Sequence, residues 1–246
     1  MILLLLLQLA DAHLPLEPPQ LFVHTTLGPI EGKAVTAFDN STVRQFLGVP
    51  FAAPPIGELR FAAPAAHAPW SEARPATSHG GCCVQFGEAA TDDGAISGQE
   101  DCLVLDLYAP PAPAPGDARR PVLVWFYGGS FLEGCAAWYD ATNLAAITGA
   151  VVVAANYRLS ALGYLGLPEQ LEDGSANAGL RDMQWALRWV RGNAAAFGGD
   201  SGRVTIFGQV RARFRNAAIR RTGTALLSSP TRGGSRRAAR RCSSSW

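Results

Sequence analysis

Runs of consecutive apolar residues recur along the chain, separated by polar stretches or by stretches rich in glycine and proline. The clearest runs are residues 121–127, 150–155 and 204–207. Strands buried on both faces of a sheet carry such runs, and parallel sheets covered by helices are built from them. The pattern therefore predicts an α/β fold with a mostly parallel central sheet, helices on both faces, and small strands over residues 21–48 near the N-terminus.

A helix is predicted over residues 177–197, between two of the apolar runs. Apolar residues recur there at helical spacing and form one face: Leu180, Met183, Leu187 and Val190. Trp185 and Trp189 widen that face, so the helix should pack between the sheet and neighbouring elements. Gly198 and the residues after it end the helix before the last apolar run.

Charge is distributed unevenly along the 246 residues. Residues 1–202 carry 10 Lys and Arg against 20 Asp and Glu, whereas residues 203–246 carry 11 Arg and no acidic residue. Residues 228–246 lack a hydrophobic period, which predicts a disordered tail rich in Arg and Ser. An arginine run can bind nucleic acid. However, GC-rich DNA read out of frame also encodes such a run, and we expect no nucleic-acid partner.

The N-terminus indicates a secretory chain. Residues 1–12 form an apolar stretch that is too short to span a membrane and ends in an Ala-x-Ala pattern, which predicts a signal peptide. A buried first strand is the alternative. Asn40 begins an N-glycosylation sequon, and five cysteines allow one or two disulfides. We therefore expect a glycoprotein that is secreted or lies in the endoplasmic reticulum lumen. It should have no membrane span, metal or cofactor.

Six stretches resemble the type B carboxylesterases, a family that includes the cholinesterases. They are FLGVPFAAPPIGELRF (46–61), EDCLVLDLYAP (100–110), PVLVWFYGGSF (121–131), NYRLSALGYL (156–165), NAGLRDMQWALRWVRGNAAAFGGD (177–200) and VTIFGQ (204–209). The resemblance implies that residues 13–227 are the N-terminal part of an α/β-hydrolase domain. It also implies that the full-length form hydrolyses small carboxylic esters through a serine acyl-enzyme intermediate. It indicates no oligomeric state.

The resemblance implies an oxyanion hole after the apolar run at 121–127. Gly128, Gly129 and Ser130 match the family's glycine-rich loop, and the backbone N–H groups of Gly129 and Ser130 are the implied donors. One such donor contributes about 3–4 kcal/mol to transition-state stabilisation. Ser130 stands where the family usually has a third glycine, so its N–H remains while its side chain narrows the site.

The resemblance also implies covalent and ionic pairs that stabilise the fold. The family's disulfide maps to Cys83 and Cys102, since Cys83 fits the local pattern better than Cys82. Two buried ion pairs are implied as well: Arg44 with Glu100, and Arg158 with Asp182. Removing one partner of a buried pair leaves an uncompensated charge, at a cost of about 3–5 kcal/mol.

The apolar run at 204–207 leads into Gly208-Gln209-Val210-Arg211-Ala212. The family has Gly-x-Ser-x-Gly there, a strained turn that presents the nucleophile above the sheet. Val210 occupies the serine position. Its side chain offers no nucleophile, and its β-branch resists the positive φ of such a turn. We therefore predict that no catalytic residue is intact.

Residues 214–227 again resemble the family, but at a stretch that lies well beyond the elbow. Only four residues separate Gln209 from Phe214, whereas an ordinary helix takes about 11–12. We infer that the elbow helix is deleted after residue 209, as alternative splicing or a gene-model error would do. The four histidines lie outside every matching triad position: His13, His24, His67 and His79.

Three interpretations follow. The lineage is that of carboxylic ester hydrolases, and this chain is a catalytically inactive member of it. The alternative is a non-catalytic, cholinesterase-like binding or adhesion module. The third is a truncated product without a function of its own, and it best describes this chain, whereas the first describes its family.

We predict that the expressed chain is retained in the endoplasmic reticulum or aggregates. Without the elbow helix and the later strands, apolar strands would be exposed. Burial of each large aliphatic side chain is worth about 1.5–3 kcal/mol, while a domain is stable by about 5–15 kcal/mol. Secretion assays followed by size exclusion and thermal melting test this. A monodisperse secreted monomer that melts cooperatively would contradict the prediction and favour the binding module.

Overall fold

The computed structural model describes residues 21–86, 96–114, 116–166, 168 and 176–209. The predicted signal peptide, Val210 and the predicted tail at 228–246 lie outside these residues. Across the described ranges, no helix is both long enough and apolar enough to cross a membrane.

The described elements alternate between short strands and helices. In chain order the strands are β1 (Phe22–His24), β2 (Pro29–Glu31), β3 (Lys33–Thr36), β4 (Thr42–Pro50), β5 (Arg74–Pro75), β6 (Gln85–Phe86), β7 (Ile96–Ser97), β8 (Val104–Ala109), β9 (Arg120–Phe126), β10 (Val151–Ala155) and β11 (Gly199–Gly208). The α-helices are α1 (Thr142–Thr148), α2 (Ser160–Tyr164) and α3 (Ala178–Asn193). Short 3₁₀ helices lie at Gly57–Leu59, Ala136–Trp138 and Ala194–Phe197.

Six strands form the central sheet, in the order β11-β9-β10-β8-β4-β3. β9, β10 and β11 are mutually parallel, whereas β10–β8, β8–β4 and β4–β3 are antiparallel pairs. The prediction of a mostly parallel sheet is therefore wrong, and the sheet is mixed. The reason lies in the connections. Parallel neighbours need a long crossover, which α1 and α3 supply for β9, β10 and β11, while a tight turn joins β3 to β4.

Two apolar cores flank the central sheet, because successive strand residues point to opposite faces. The core beneath α1 includes Val43, Leu47, Tyr108, Ala145 and Val152. The core beneath α3 includes Phe46, Leu105, Leu107, Val122, Val124, Val151, Val153, Ala186, Trp189 and Val190. One described helix on each face therefore covers β10 and the buried Val122 and Val124 of β9, whereas β11 at the sheet edge is mostly exposed, with Ile206 55% exposed.

The predicted helix over 177–197 is confirmed as α3 and the 3₁₀ helix that follows it. Its buried face is rotated from the predicted one, since Leu180 is 45% exposed. Asp182, Ala186 and Trp189 are buried in its place. Asp182 is buried because it pairs with Arg158, and a pattern of apolar residues does not reveal such a pair.

Arg158 and Asp182 form the implied buried ion pair. The Arg158 Nη2–Asp182 Oδ1 distance is 2.7 Å, and the two side chains are 3% and 0% exposed. Arg158 Nε and the Arg158 backbone N–H both donate to Asp182 Oδ2. Burial raises the pKa of the Asp182 carboxyl, while the hydrogen bonds and charge of Arg158 oppose that rise. The pair joins the carboxyl end of β10 to α3.

The other implied ion pair, Arg44 with Glu100, is wrong. Glu100 instead accepts hydrogen bonds from Arg60 Nε, at 2.8 and 2.9 Å. Arg44 is buried on β4 and donates to the backbone carbonyls of Pro110 and Phe197. A buried guanidinium can be satisfied by carbonyl oxygens, so its partners need not be acidic residues.

We predict that Asp182→Asn lowers the free energy of unfolding by about 3–5 kcal/mol, because Arg158 is left as a buried, uncompensated charge. Urea unfolding monitored by tryptophan fluorescence measures the loss. Glu100→Gln is the matched control. It removes the carboxylate from a pair whose arginine side chain is 44% exposed, and it should cost at most about 1 kcal/mol. Equal losses in the two variants would contradict the prediction.

Candidate active site

The candidate site lies at the carboxyl edge of the three parallel strands. Gly208 at the end of β11 pairs with Phe126 at the end of β9, and Ala154 near the end of β10 pairs with Trp125. The residues that follow these strands therefore emerge at one edge. Gln209 is the last described residue there, so the predicted nucleophile position, Val210, lies outside the described part of the chain.

The segment Gly128–Cys135, here called the glycine loop, follows β9 at this edge. Its φ angles are +124° at Gly129, +55° at Ser130 and +61° at Phe131. A Cβ on Gly129 would overlap the Glu133 carbonyl oxygen, so only glycine fits there. Ser130 and Phe131 adopt the left-handed conformation that glycine takes more easily.

The two implied oxyanion donors lie at the turn of the glycine loop. The Gly129 carbonyl accepts hydrogen bonds from the N–H groups of Leu132 and Glu133, at 2.9 and 3.2 Å. The N–H groups of Gly129 and Ser130 donate no hydrogen bond within the described ranges. Two neighbouring N–H groups are thus left available at the edge where β11 ends.

Contacts that sequence reasoning missed hold the far end of the glycine loop. Gln85 is buried and pairs with both backbone groups of Gly134: its Nε2 donates to the carbonyl at 3.0 Å, and its Oε1 accepts from the N–H at 2.8 Å. Asn156 Oδ1 accepts from the Ala136 N–H at 2.9 Å. No sequence pattern identifies either side-chain amide as a contact of the loop, because each meets its backbone partner only after the chain has folded.

The middle of the glycine loop contacts the turn after β10. The Ser160 N–H donates to the Phe131 carbonyl at 2.7 Å. Ser160 has a φ of +51° and begins α2. The Phe131 ring lies 4.6 Å from the Tyr164 ring, between centroids. The positions of β10 and α2 therefore determine where the glycine loop turns.

Two disulfides lie beside the glycine loop. Cys83 is bonded to Cys102, the pair that the resemblance implies. Cys82 is bonded to Cys135, and no sequence argument predicted that pair. The one available signal was that Cys135 lies five residues after Ser130, at a position where a covalent bond can restrain the loop.

Asn40, predicted from its sequon as a glycosylation site, and His79 lie away from the glycine loop. Asn40 is exposed in the turn between β3 and β4, with a φ of +63°. His79 Nδ1 lies 2.7 Å from Oδ2 of the buried Asp106 on β8. Over the described residues, no group of three His, Cys, Asp or Glu side chains is placed to hold a metal ion.

Tyr127 and Tyr157 stack beneath the glycine loop, with ring centroids 4.5 Å apart. The Tyr157 hydroxyl donates to the Tyr127 carbonyl, and the Tyr127 hydroxyl lies 3.3 Å from both the carbonyl and the N–H of Tyr157. Burial raises the pKa of both phenols above the ordinary value for tyrosine. The pair ties the end of β9 to the end of β10.

We predict opposite stability effects at two adjacent positions of the glycine loop. Gly129→Ala should cost about 1–3 kcal/mol, because a Cβ meets the Glu133 carbonyl and the φ is strained. Ser130→Gly should stabilise by at most about 1 kcal/mol, because relief of a left-handed conformation is offset by unfolded-state entropy. Urea unfolding of both variants measures the effects. A loss in Ser130→Gly as large as that in Gly129→Ala would contradict the loop geometry.

We also predict that Tyr127 and Tyr157 destabilise the fold at alkaline pH. Both phenols keep their protons in the folded state above about pH 10, where unfolded tyrosine ionises. The stability they contribute is therefore complete below about pH 10 and is lost as the pH rises through the folded-state pKa. Titration of phenolate absorbance, with and without denaturant, measures this. Coincident titration curves would contradict the prediction.

Comparison with known proteins shows which family the chain resembles. A sequence model of the carboxylesterase family matches residues 19–211. Carboxylesterase 3 of Pongo abelii is 42% identical over 195 residues, which cover 76% of this chain and 34% of that protein. Carboxylesterase 5A of Homo sapiens is 43% identical over 195 residues, 76% of this chain and 33% of that protein.

A third relative extends the match. Acetylcholinesterase of Electrophorus electricus is 37% identical over 226 residues, which cover 87% of this chain and 34% of that protein. The chain thus spans about a third of the length of these relatives. The family's α/β-hydrolase fold accounts for the mixed sheet and its helices. The chain belongs to the carboxylesterase family.

Proposed function

We propose that this chain is a catalytically silent member of the carboxylesterase family. It carries the glycine loop of an ester hydrolase but no nucleophile, so it does not turn over esters. The observation that carries the proposal is the end of β11, where Gly208 is followed two positions later by Val210. In a full-length form, the same lineage would hydrolyse small carboxylic esters through a serine acyl-enzyme.

The geometry at Gly208 supports the carboxylesterase lineage in this proposal. A Cβ on Gly208 would come within 2.7 Å of the Phe126 carbonyl oxygen, so the close approach of β11 and β9 at the site requires glycine. The chain thus keeps the first glycine of the elbow pattern. It lacks the serine and the second glycine, which are replaced by Val210 and Ala212. Valine has no hydroxyl, so no acyl-enzyme can form at this position.

The second candidate function is a non-catalytic binding module. Apolar side chains on and just after the glycine loop are exposed: Phe131 by 48%, Leu132 by 54% and Trp138 by 52%. A contiguous exposed apolar patch marks a binding surface, and we propose that these three side chains contribute to one. This candidate needs a stable secreted chain, which the secretion assay described above decides.

We further propose a secretory location for the chain, with residues 1–12 as signal peptide and a glycan on Asn40. The support for the glycan is that Asn40 lies in an exposed turn, where a transferase can reach the side chain. A mobility shift on treatment with an endoglycosidase, absent in Asn40→Gln, tests the glycan.

We predict that the purified chain neither hydrolyses p-nitrophenyl esters above background nor reacts with a fluorophosphonate probe. A family relative with an intact Gly-x-Ser-x-Gly pattern serves as the positive control in both assays. Peptide mapping locates any label. Stoichiometric labelling of any serine, including Ser130 or Ser160 at the site, would overturn the proposal.

A further inference from the structure

The adjacent residues Cys82 and Cys83 bond to two different segments. Cys83 closes a disulfide with Cys102, 19 positions along the chain. Cys82 closes one with Cys135, 53 positions along the chain and at the end of the glycine loop. One short stretch therefore carries both a local disulfide and a covalent restraint on the candidate site.

The same stretch holds the glycine loop through two buried amides. Gln85 makes its two hydrogen bonds to Gly134, the residue before Cys135, and its Nε2 also donates to the Cys83 carbonyl. Asn156 Nδ2 donates to the Gly81 carbonyl, while its Oδ1 accepts from Ala136. The Cys82–Cys135 bond is the covalent member of this set of contacts.

The two disulfides differ in their accessibility to solvent. Cys83 and Cys102 are each 1% exposed, and Cys135 is 0% exposed. Cys82 is partly exposed. Thiol–disulfide exchange requires a thiolate to reach a disulfide sulfur, and Cys82 is the one partly exposed residue among these four cysteines.

We propose that Cys82–Cys135 is a reducible restraint on the glycine loop, which a small thiol of the glutathione or dithiothreitol class opens while Cys83–Cys102 stays intact. The thiolate attacks Cys82 Sγ and forms a mixed disulfide, and Cys135 leaves as a thiolate that takes up a proton. A second thiol group of the reductant then attacks the mixed disulfide. This step releases the Cys82 thiol and the oxidised reductant, so the reductant supplies both electrons. The proposal does not depend on ester chemistry at the site.

The consequence is a looser glycine loop. Once the bond opens, the far end of the loop is held by Gln85 and Asn156, while the Phe131 carbonyl still accepts from Ser160. The Gly129 carbonyl accepts hydrogen bonds from the N–H groups of Leu132 and Glu133, which lie between these two anchors. The placement of the Gly129 and Ser130 N–H groups therefore varies more once the bond opens. The redox state of the compartment would thereby control how well ordered this part of the site is.

The test exposes the full chain, in a Cys242→Ser background, to increasing concentrations of dithiothreitol. Free thiols are blocked with N-ethylmaleimide and mapped by mass spectrometry, and amide hydrogen exchange is followed in parallel. Cys82 and Cys135 should be labelled at least about tenfold faster than Cys83 and Cys102. Exchange in residues 127–136 should rise at least about tenfold once they are labelled. Simultaneous labelling of all four cysteines, earlier labelling of Cys83 and Cys102, or unchanged exchange in residues 127–136 would overturn the proposal.

Two double variants act as matched controls. In Cys82→Ser/Cys135→Ser, exchange in residues 127–136 should be raised from the start and should not respond to dithiothreitol. In Cys83→Ser/Cys102→Ser, dithiothreitol should still raise it. If a variant fails to fold, the reduction series on the Cys242→Ser chain decides the question alone, because it compares both disulfides within one molecule.

Discussion

Asp182 is completely buried, and its carboxylate accepts hydrogen bonds from the guanidinium and the backbone N–H of Arg158. The backbone packs closely around this pair, since a Cβ on Gly163 or on Gly179 would collide with the Arg158 carbonyl. Arg158 Nη1 also donates to the carbonyls of Leu59 and Arg60. The ion pair thus fixes α2, α3 and the segment after β4 relative to the end of β10.

The position of the glycine loop follows from that constraint. Arg158 lies two residues before Ser160, whose N–H donates to the Phe131 carbonyl. One residue earlier, Tyr157 stacks on Tyr127 at the end of β9. The chain of contacts runs from a buried charge through the turn after β10 to the candidate site. A buried ion pair adds little net stability over apolar packing, but it requires one arrangement of its neighbours, because any other arrangement leaves a charge unpaired.

Local sequence patterns predicted the positions of strands and helices better than they predicted strand direction or the partners of individual side chains. Apolar runs located β9, β10 and β11, and helical spacing located α3, because burial imposes a period on the sequence itself. Strand direction depends on the connections: a short turn joins the antiparallel β3 and β4, whereas α1 lies between the parallel β9 and β10. Arg44 illustrates the same limit. Its burial, with Arg120 nearby, lowers its pKa to about 10. It donates hydrogen bonds to the backbone carbonyls of Pro110 and Phe197, and carbonyls are present in every residue, so no sequence pattern marks them as partners.

The contacts that hold the glycine loop do not involve the nucleophile position. Gln85, Asn156, Cys82 and Ser160 hold the loop, and all of them precede β11 in the chain. The loop can therefore keep its shape whatever residue follows Gln209. Donors of this kind accelerate a reaction only when charge develops on the substrate oxygen, and that requires an attacking nucleophile. Under the proposal of a silent chain, the Gly129 and Ser130 N–H groups would bind a carbonyl or carboxylate oxygen without lowering a reaction barrier. Retention of the loop is thus evidence of lineage, whereas catalysis depends on the second residue after β11.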